Sequence, residues 1–199
     1  MNLISFERVE GQRCSPNAKA LLRIEGVSVR LGQRLVLDNT DMEIFEGEQI
    51  RIIGTNGSGK STLLNAIAGI VPLERGRIVF RGEDISNLPV HERAQMGIAY
   101  MRQRAHVFTS LTVRENFQLA LGSNGYIQFS KRYPEWVFDL PPDKLAGILS
   151  GGQKQKLAWG LTILGKWFLL LLDEPRTGMA VRPKIERLGQ ESIIFVEHD

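Results

Sequence analysis

The stretch QIRIIGTNGSGKSTLLNAIAG, residues 49–69, decides the fold. Its opening residues QIRIIG predict a buried strand, and KSTLLNAIAG has the apolar period of a helix that stops at a glycine. Between them, GTNGSGKST at 54–62 fits G-x-x-x-x-G-K-[ST], the pattern of a P-loop. Because the pattern stands between a strand and a helix, as a P-loop requires, an ordinary glycine turn explains it poorly.

This loop is expected to hold the phosphates of a nucleotide. In a P-loop the backbone N–H groups wrap the phosphates, the lysine reaches the β and γ oxygens, and the serine hydroxyl ligates Mg²⁺. A nucleoside triphosphate and Mg²⁺ are therefore the predicted ligands. The predicted binding residues are Gly54, Asn56, Gly57, Ser58, Gly59, Lys60, Ser61 and Thr62, with Ser61 on the metal.

Strand and helix patterns alternate along the rest of the chain. The segments GIAYM, WFLLLLDE and SIIFVEHD read as apolar strands between helical stretches, which is typical of a parallel sheet. The predicted class is α/β: a P-loop NTPase core with a parallel sheet flanked by helices, an N-terminal antiparallel β subdomain and a helical insertion subdomain. The predicted boundaries are 1–20 for a loose N-terminal arm, 21–199 for the ATPase domain, and approximately 104–150 for the insertion.

The length and amino-acid composition are those of an ordinary globular protein. With 199 residues, of which 43% are hydrophobic, it can bury a full core. The net charge of +3 comes from scattered basic residues, so no specific nucleic-acid surface is expected. The single cysteine, Cys14, excludes an internal disulfide and a multi-cysteine metal site. The longest apolar run is too short to cross a bilayer and no signal peptide is evident, so we expect a cytoplasmic protein.

Two carboxylates follow a second strand, in LLLLDEP at 169–175. In a parallel α/β sheet the end of this strand lies at the same edge as the P-loop. Asp173 would then hold Mg²⁺, directly or through water, and Glu174 would polarise the water that attacks the γ-phosphate. An aspartate that merely caps a following helix is the competing interpretation.

The stretch LSGGQKQKL, residues 149–157, predicts a second anion-binding site. Small residues at the start of a helix expose backbone N–H groups at the positive end of the helix dipole. Because the P-loop already accounts for this chain's own nucleotide, the second site is better explained as a site for the nucleotide of a partner.

The order of these motifs resembles that of the nucleotide-binding subunit of ATP-binding cassette (ABC) transporters. It runs from the P-loop through Gln103 after a strand, LSGGQ and the Asp-Glu pair to His198 after another strand. The resemblance covers about residues 21–199. FTSLTVRENF, DEP followed by TGM, and the closing VEHD look most like the ATPases of branched-chain amino acid importers.

The resemblance implies a head-to-tail dimer with a second ATPase subunit, identical or not. Each ATP would lie between the P-loop of one subunit and the LSGGQ of the other, contacted by Ser150, Gly151, Gly152 and Gln153. Gln103 would touch Mg²⁺ or water, and His198 would sense the γ-phosphate. The ATPase would act on the inner face of the cell membrane with separate transmembrane permease subunits, received in a groove of the helical subdomain.

Some positions depart from the family pattern. Leu31 stands where an aromatic residue usually stacks on adenine, and Ala180 stands where an aspartate is usual. The segment from Glu174 to His198 is short, and the sequence stops at Asp199. These departures leave open a binding-only module with poor turnover, and a soluble single-cassette ABC ATPase, for example in iron–sulfur assembly, is the other alternative.

Overall fold

The computed structural model describes residues 4–9, 19–103, 106–174 and 192–196. These residues form two compact units. The first takes in the described chain up to Tyr100, together with Trp167–Glu174 and the last strand. The second runs from Met101 to Lys166.

The first unit contains a five-stranded sheet in the order β1-β4-β9-β8-β7. Strand β4 pairs in parallel with β9, and β9 pairs in parallel with β8. Parallel strands buried on both faces are expected to be apolar throughout, and all five residues of β8 and of β9 are buried. The predicted α/β class is thereby confirmed. The strands are β1 (Ile4–Arg8), β4 (Gln49–Gly54), β7 (Ile98–Met101), β8 (Leu169–Asp173) and β9 (Ser192–Val196).

Strand β1 differs from the expectation of a loose arm over residues 1–20. It pairs antiparallel with β4 from Ile4 opposite Gly54 to Arg8 opposite Ile50, which makes the core sheet mixed. The guanidinium of Arg8 also pairs with Glu48 at 3.1 Å. The short run ISFER has too few residues to show a period by itself, and its backbone gains hydrogen bonds only once β4 is present. Residues 1–3 and 10–18 of the expected arm, with Cys14, lie outside the described residues.

A second, antiparallel sheet in this unit has the order β3-β2-β5-β6. It confirms the predicted antiparallel β subdomain. Arg34 to Phe45 form one long strand that pairs antiparallel with the twelve-residue β2, and β-bulges shift the register at several points along the pair. The strands are β2 (Ala20–Leu31), β3 (Arg34–Phe45), β5 (Arg75–Phe80) and β6 (Glu83–Asp84).

One hydrophobic core joins the two sheets of the first unit. It includes residues of both sheets and the buried face of α1 (Lys60–Ile67), where Leu63, Leu64 and Ile67 are fully buried. Burial of side chains of this size stabilises by about 1.5–3 kcal/mol each. The P-loop lies between β4 and α1, so the core fixes both of its ends.

Arg93, in the short helix α2 (Val90–Gln95), secures the C-terminal end of α1. It is only 2% exposed, and its guanidinium donates to Ala66 O at 2.7 Å and Ile67 O at 2.9 Å. It also donates to Leu88 O and Ser86 O, both at 2.9 Å. Burial lowers the pKa of Arg93 from its ordinary value, and the charge of Asp84 opposes that shift. The last carbonyls of a helix lack intrahelical donors, and here a buried cation supplies them.

Replacing Arg93 with methionine is expected to lower the free energy of unfolding by about 3 kcal/mol, because it removes the guanidinium donor from four buried or partly buried carbonyl groups, of which Ala66 O keeps the N–H of Gly69. Urea unfolding followed by circular dichroism measures the change. The matched control is Arg77→Met, since Arg77 is largely exposed and pairs with Glu25 at the surface. That control should cost less than about 1 kcal/mol. Equal losses in the two variants would contradict the structural role of Arg93.

The second unit is helical and is built around aromatic side chains. The rings of Phe117 and Phe129 lie 4.6 Å apart, and those of Tyr133 and Trp136 stack at 4.9 Å. A side chain on Gly160 would come within 2.7 Å of Phe129, so glycine permits this close approach. The helices are α3 (Val113–Leu121), α4 (Gly125–Arg132) and α5 (Gly151–Ile163), with single 3₁₀ turns at Pro134–Trp136 and Ala146–Ile148.

Two features of this unit differ from the sequence expectations. Helix α4 lies where the sequence shows no clear period, and the unit extends past the predicted 104–150 to include α5. Helix α3 begins at a capping box formed by Thr112 and Glu115. Hydrogen bonds from the Thr112 backbone N–H and hydroxyl lower the pKa of Glu115. No helix in the described part of the chain is both long and apolar enough to span a membrane.

Candidate functional site

The P-loop takes a backbone path that only glycine allows at Gly59. This residue has φ +104° and caps the N-terminus of α1. A side chain there would lie 2.9 Å from Leu37 Cδ2 and 3.2 Å from the carbonyl oxygen of Val36. Gly57 also has a positive φ, of +76°, but with open space around it. The loop therefore packs against β3 at Gly59, whereas the space beside Gly57 is open.

Lys60, the first residue of α1, lies across this loop. It is 5% exposed, and its ammonium group donates to Gly54 O at 2.5 Å and to Thr55 O at 3.1 Å. The hydroxyl of Ser58 is buried in the same loop and has no hydrogen-bond partner among the described residues. A buried cation and an unsatisfied hydroxyl beside the N-terminus of a helix form a surface suited to an anion.

The structure brings Ser61 to Asp173, 112 positions later in the chain. The Ser61 hydroxyl donates to Asp173 Oδ1 at 3.0 Å, and Asp173 is buried at the end of β8. Tyr100, near the end of β7, donates its hydroxyl to Asp173 Oδ2 at 3.4 Å. Sequence reasoning missed Tyr100, although its place near a strand end was a usable signal. Both oxygens of Asp173 are thus oriented by hydroxyl groups.

Glu174 follows immediately and has a strained backbone. Its φ is +49°, a region that residues other than glycine seldom adopt, and its N–H donates to Val196 O at 3.1 Å. Since β4, β8 and β9 are mutually parallel, their carboxyl ends share one edge of the sheet, and Glu174 stands on the edge where the P-loop begins. Positive φ values at such positions are frequent at functional sites.

The residues at this edge fit a magnesium ion. Ser61 and Asp173 present a hydroxyl and a carboxylate oxygen, and Mg²⁺ prefers oxygen ligands of this kind. Among the described residues no three His, Cys, Asp or Glu side chains cluster as a self-sufficient metal site. Such a sparse ligand set suits Mg²⁺, which is usually held by one or two protein oxygens together with phosphates and water.

The LSGGQ segment forms the start of α5 in the second unit. Ser150 Oγ accepts from the N–H of Gln153 at 3.3 Å, and Gln153 Oε1 accepts from the N–H of Ser150 at 3.0 Å. This capping box leaves the N–H groups of Gly151 and Gly152 without an intrahelical partner. Nothing lies within 4 Å of where a side chain on Gly151 would be. The helix end is therefore open to an approaching anion.

The segment just before α5 is held by the same helix. Gln153 Nε2 donates to the backbone oxygen of Asp139 at 2.8 Å, and Lys156 forms an ion pair with the Asp139 carboxylate. Beside this anchored residue, Phe138 is 92% exposed. The first turns of α5 are therefore hydrogen-bonded to the segment around Asp139 within the second unit.

The remaining predicted residues are placed as follows. Asn56 and Thr62 lie on the P-loop and at the start of α1 in the first unit, the former exposed and the latter buried. Gln103 is exposed two positions beyond β7 and belongs to the second unit. His198 and Ala180 lie outside the described residues. The structure thus brings the P-loop, Asp173 and Glu174 together in the first unit, and Ser150 to Gln153 in the second.

Comparisons with known proteins agree with this arrangement. The ABC transporter family model matches residues 37–177. The chain is 34% identical over 170 residues to the probable branched-chain amino acid transport ATP-binding protein LivF of Archaeoglobus fulgidus, covering 82% of this chain and 71% of that protein. It is 36% identical over 188 residues to the high-affinity branched-chain amino acid transport ATP-binding protein BraG of Pseudomonas aeruginosa, covering 87% and 79%.

Solved structures give the same result. A crystal structure of an ATP-binding cassette of an ABC transporter superposes with a TM-score of 0.70 at 27% identity, covering 90% of this chain and 82% of that one. The resemblance seen in the order of the sequence motifs is confirmed. The chain therefore belongs to the ABC transporter family, as one of its ATP-binding and ATP-hydrolysing subunits.

Proposed function

We propose that the first unit binds the triphosphate of ATP in the P-loop and hydrolyses it with Glu174 as the group that polarises the attacking water. The observation that supports this most directly is the 3.0 Å hydrogen bond between Ser61 and Asp173, beside the buried ammonium of Lys60. Nucleotide P-loops need a cation and a hydroxyl at the start of the helix and a carboxylate at the end of a neighbouring strand. All three groups are present here at one sheet edge.

Magnesium would be held by Ser61 and Asp173, with Gln103 as a further ligand. Bound there, the ion would neutralise charge on the β and γ oxygens of the nucleotide. Lys60 would leave its backbone acceptors for the phosphates, and the loop N–H groups with Ser58, Gly59 and Thr62 would surround them. The Glu174 carboxylate would accept a proton from water at the γ-phosphate, and His198 would contact that phosphate.

A second ATPase subunit would complete the site. The open N-terminus of α5 offers the unpaired N–H groups of Gly151 and Gly152 and the positive end of a thirteen-residue helix. These features support a head-to-tail dimer in which α5 of one subunit faces the γ-phosphate bound to the other. ATP would then join the two subunits, and its hydrolysis would release them.

Separate permease subunits would couple this cycle to transport. The relatives LivF and BraG are named as branched-chain amino acid transport ATP-binding proteins, and we infer a related import task for this chain. The second unit, with exposed apolar side chains such as Phe138 and Ile148, would serve as the helical subdomain that receives the permease at the inner face of the membrane. A soluble iron–sulfur assembly ATPase is not favoured, because the named relatives act in transport.

Replacing Lys60 with alanine tests the nucleotide site. The dissociation constant of ATP should rise about tenfold to a hundredfold, because a charge-assisted contact to the phosphates is lost. Isothermal titration with the full chain, ATP and Mg²⁺ measures it. Lys131→Ala is the matched control, since Lys131 is an exposed lysine at the end of α4. If the Lys60 variant bound ATP as tightly as this control, the proposed phosphate site would be wrong.

A further inference from the structure

The turn between β2 and β3 rests directly on the P-loop. Val36 and Leu37 occupy the space beside Gly59, where a side chain would meet them at 2.9–3.2 Å. A few residues earlier, the guanidinium of Arg34 donates to the carbonyl oxygen of Gly57 at 3.4 Å. The start of β3 therefore packs against the loop, and Arg34 stands at the outer rim of the loop.

Arg34 differs from three of the four other arginines of the antiparallel sheet; the fourth, Arg75 at the start of β5, likewise has no carboxylate partner among the described residues. Arg23, Arg30 and Arg77 are each held by a carboxylate, from Glu43, Glu74 and Glu25 respectively. Arg34 has no carboxylate partner within the described ranges, and its one hydrogen bond, to Gly57, is long for its type. Its side chain is exposed. The guanidinium is thus a planar cation that a ligand can engage without breaking an ion pair.

The surroundings of Arg34 suit the base of a nucleotide. One ribose joins the base to the phosphates, so a base whose phosphates occupy the P-loop must rest on the surface beside that loop. The turn supplies such a surface with Leu31, 44% exposed, and Leu35, 38% exposed, but residues 31–37 contain no aromatic ring. A guanidinium plane stacks on π-faces, which a leucine cannot do with comparable strength.

We propose that Arg34 is a nucleotide-positioning residue whose guanidinium stacks on the adenine base of ATP while one of its N–H groups stays on Gly57. The inference rests on the proposed function, in which the triphosphate occupies the P-loop. A single bond to Gly57 uses one of five donors and leaves both faces of the guanidinium open. Leu31 and Leu35 would then cover the apolar edge of the base.

Three variants of Arg34 test this, with Mg²⁺ and either ATP or inorganic tripolyphosphate as the probe in isothermal titration. Arg34→Ala should raise the dissociation constant of ATP about threefold to tenfold and leave that of tripolyphosphate within about twofold. Arg34→Lys should behave like Arg34→Ala, because lysine keeps the positive charge but has no planar guanidinium group to stack on the base. Arg34→Trp should restore the affinity for ATP. Gln33→Ala, in the same turn, is the control and should bind both probes like the wild type.

Other outcomes overturn the inference. If Arg34→Lys binds ATP like the wild type, or if Arg34→Ala weakens tripolyphosphate as much as ATP, the guanidinium acts as a charge on the phosphates. If ATP affinity is unchanged in Arg34→Ala while Lys60→Ala binds ATP more weakly than the wild type, the base contact is overturned and the phosphate site is not. A wild type that binds neither probe would overturn the proposed function, and the base contact with it.

Discussion

Replacing Glu174 with glutamine is expected to lower the turnover number for ATP by about 100-fold to 10,000-fold, the usual contribution of a positioned general base. Glutamine keeps the shape of the side chain but has no negative charge, so it cannot take a proton from the attacking water. Asp173, directly before it, already accepts hydrogen bonds from Ser61 and Tyr100. Of the two carboxylates, Glu174 is therefore the one assigned to water.

The position of Glu174 supports this assignment. Its backbone has φ +49° and is tied to Val196 by a hydrogen bond of 3.1 Å, so its Cα is fixed at the edge where the P-loop begins. The change to glutamine alters no backbone contact. The dissociation constant of ATP should accordingly stay within about twofold of the wild type, because the loss falls on the transition state and not on the bound substrate.

Phosphate release under saturating ATP and Mg²⁺ measures the turnover number. Glu46→Gln is the matched control, because Glu46 is exposed in the turn before β4, at the opposite end of that strand from the P-loop. That control should turn over at the wild-type rate. A Glu174→Gln variant that retained more than about one tenth of the wild-type rate would show that another group activates the water. Equal background rates in both forms would instead favour the binding-only module.

Much of the nucleotide edge could be predicted from the sequence because it follows from strand periodicity. Strand patterns end at Gly54 and Asp173, and parallel pairing places both ends at one edge. That rule was sufficient to anticipate the meeting of Ser61 and Asp173 across 112 positions. The role of Glu174 stays a prediction, and His198 lies outside the described residues.

Features that depend on partners distant in sequence could not be predicted in this way. Strand β1 becomes a strand only through β4, and the pattern ISFER alone does not show it. An arginine on a short helix is usually exposed to solvent, but Arg93 is buried because backbone carbonyl groups accept its hydrogen bonds. Every residue type has a backbone carbonyl, so the sequence does not reveal such partners. Arg34 was missed for the same reason, since its acceptor is the carbonyl of Gly57.

The LSGGQ stretch shows how one pattern can carry two roles. Ser150 and Gln153 are three positions apart, which is the spacing of a capping box, and the structure has both of its hydrogen bonds. The family resemblance also implies that these residues contact the ATP of a partner subunit. The two roles are compatible, because the cap uses the serine and glutamine side chains and leaves the glycine N–H groups for an incoming phosphate.

Ser150→Arg is expected to weaken ATP-driven dimerisation by more than about 100-fold. The dissociation constant of ATP from the monomer should stay within about twofold of the wild type. A long cation at the N-terminus of α5 opposes the helix dipole and fills the open space in front of Gly151. Loss of the cap itself costs only about 1 kcal/mol, so Ser150→Ala shows how much of the effect comes from the cap.

Analytical ultracentrifugation with ATP measures the association, in the Glu174→Gln background so that turnover does not deplete the nucleotide. Ser123→Arg, which places the same cation at an exposed loop position in the second unit, should dimerise like its parent. Ser150→Ala should dimerise at somewhat higher protein concentration. If Ser150→Arg still dimerised with ATP like the Ser123→Arg control, the start of α5 would not face a partner's nucleotide. The N–H groups of Gly151 and Gly152 would then be hydrated, as the first N–H groups of an exposed helix end commonly are.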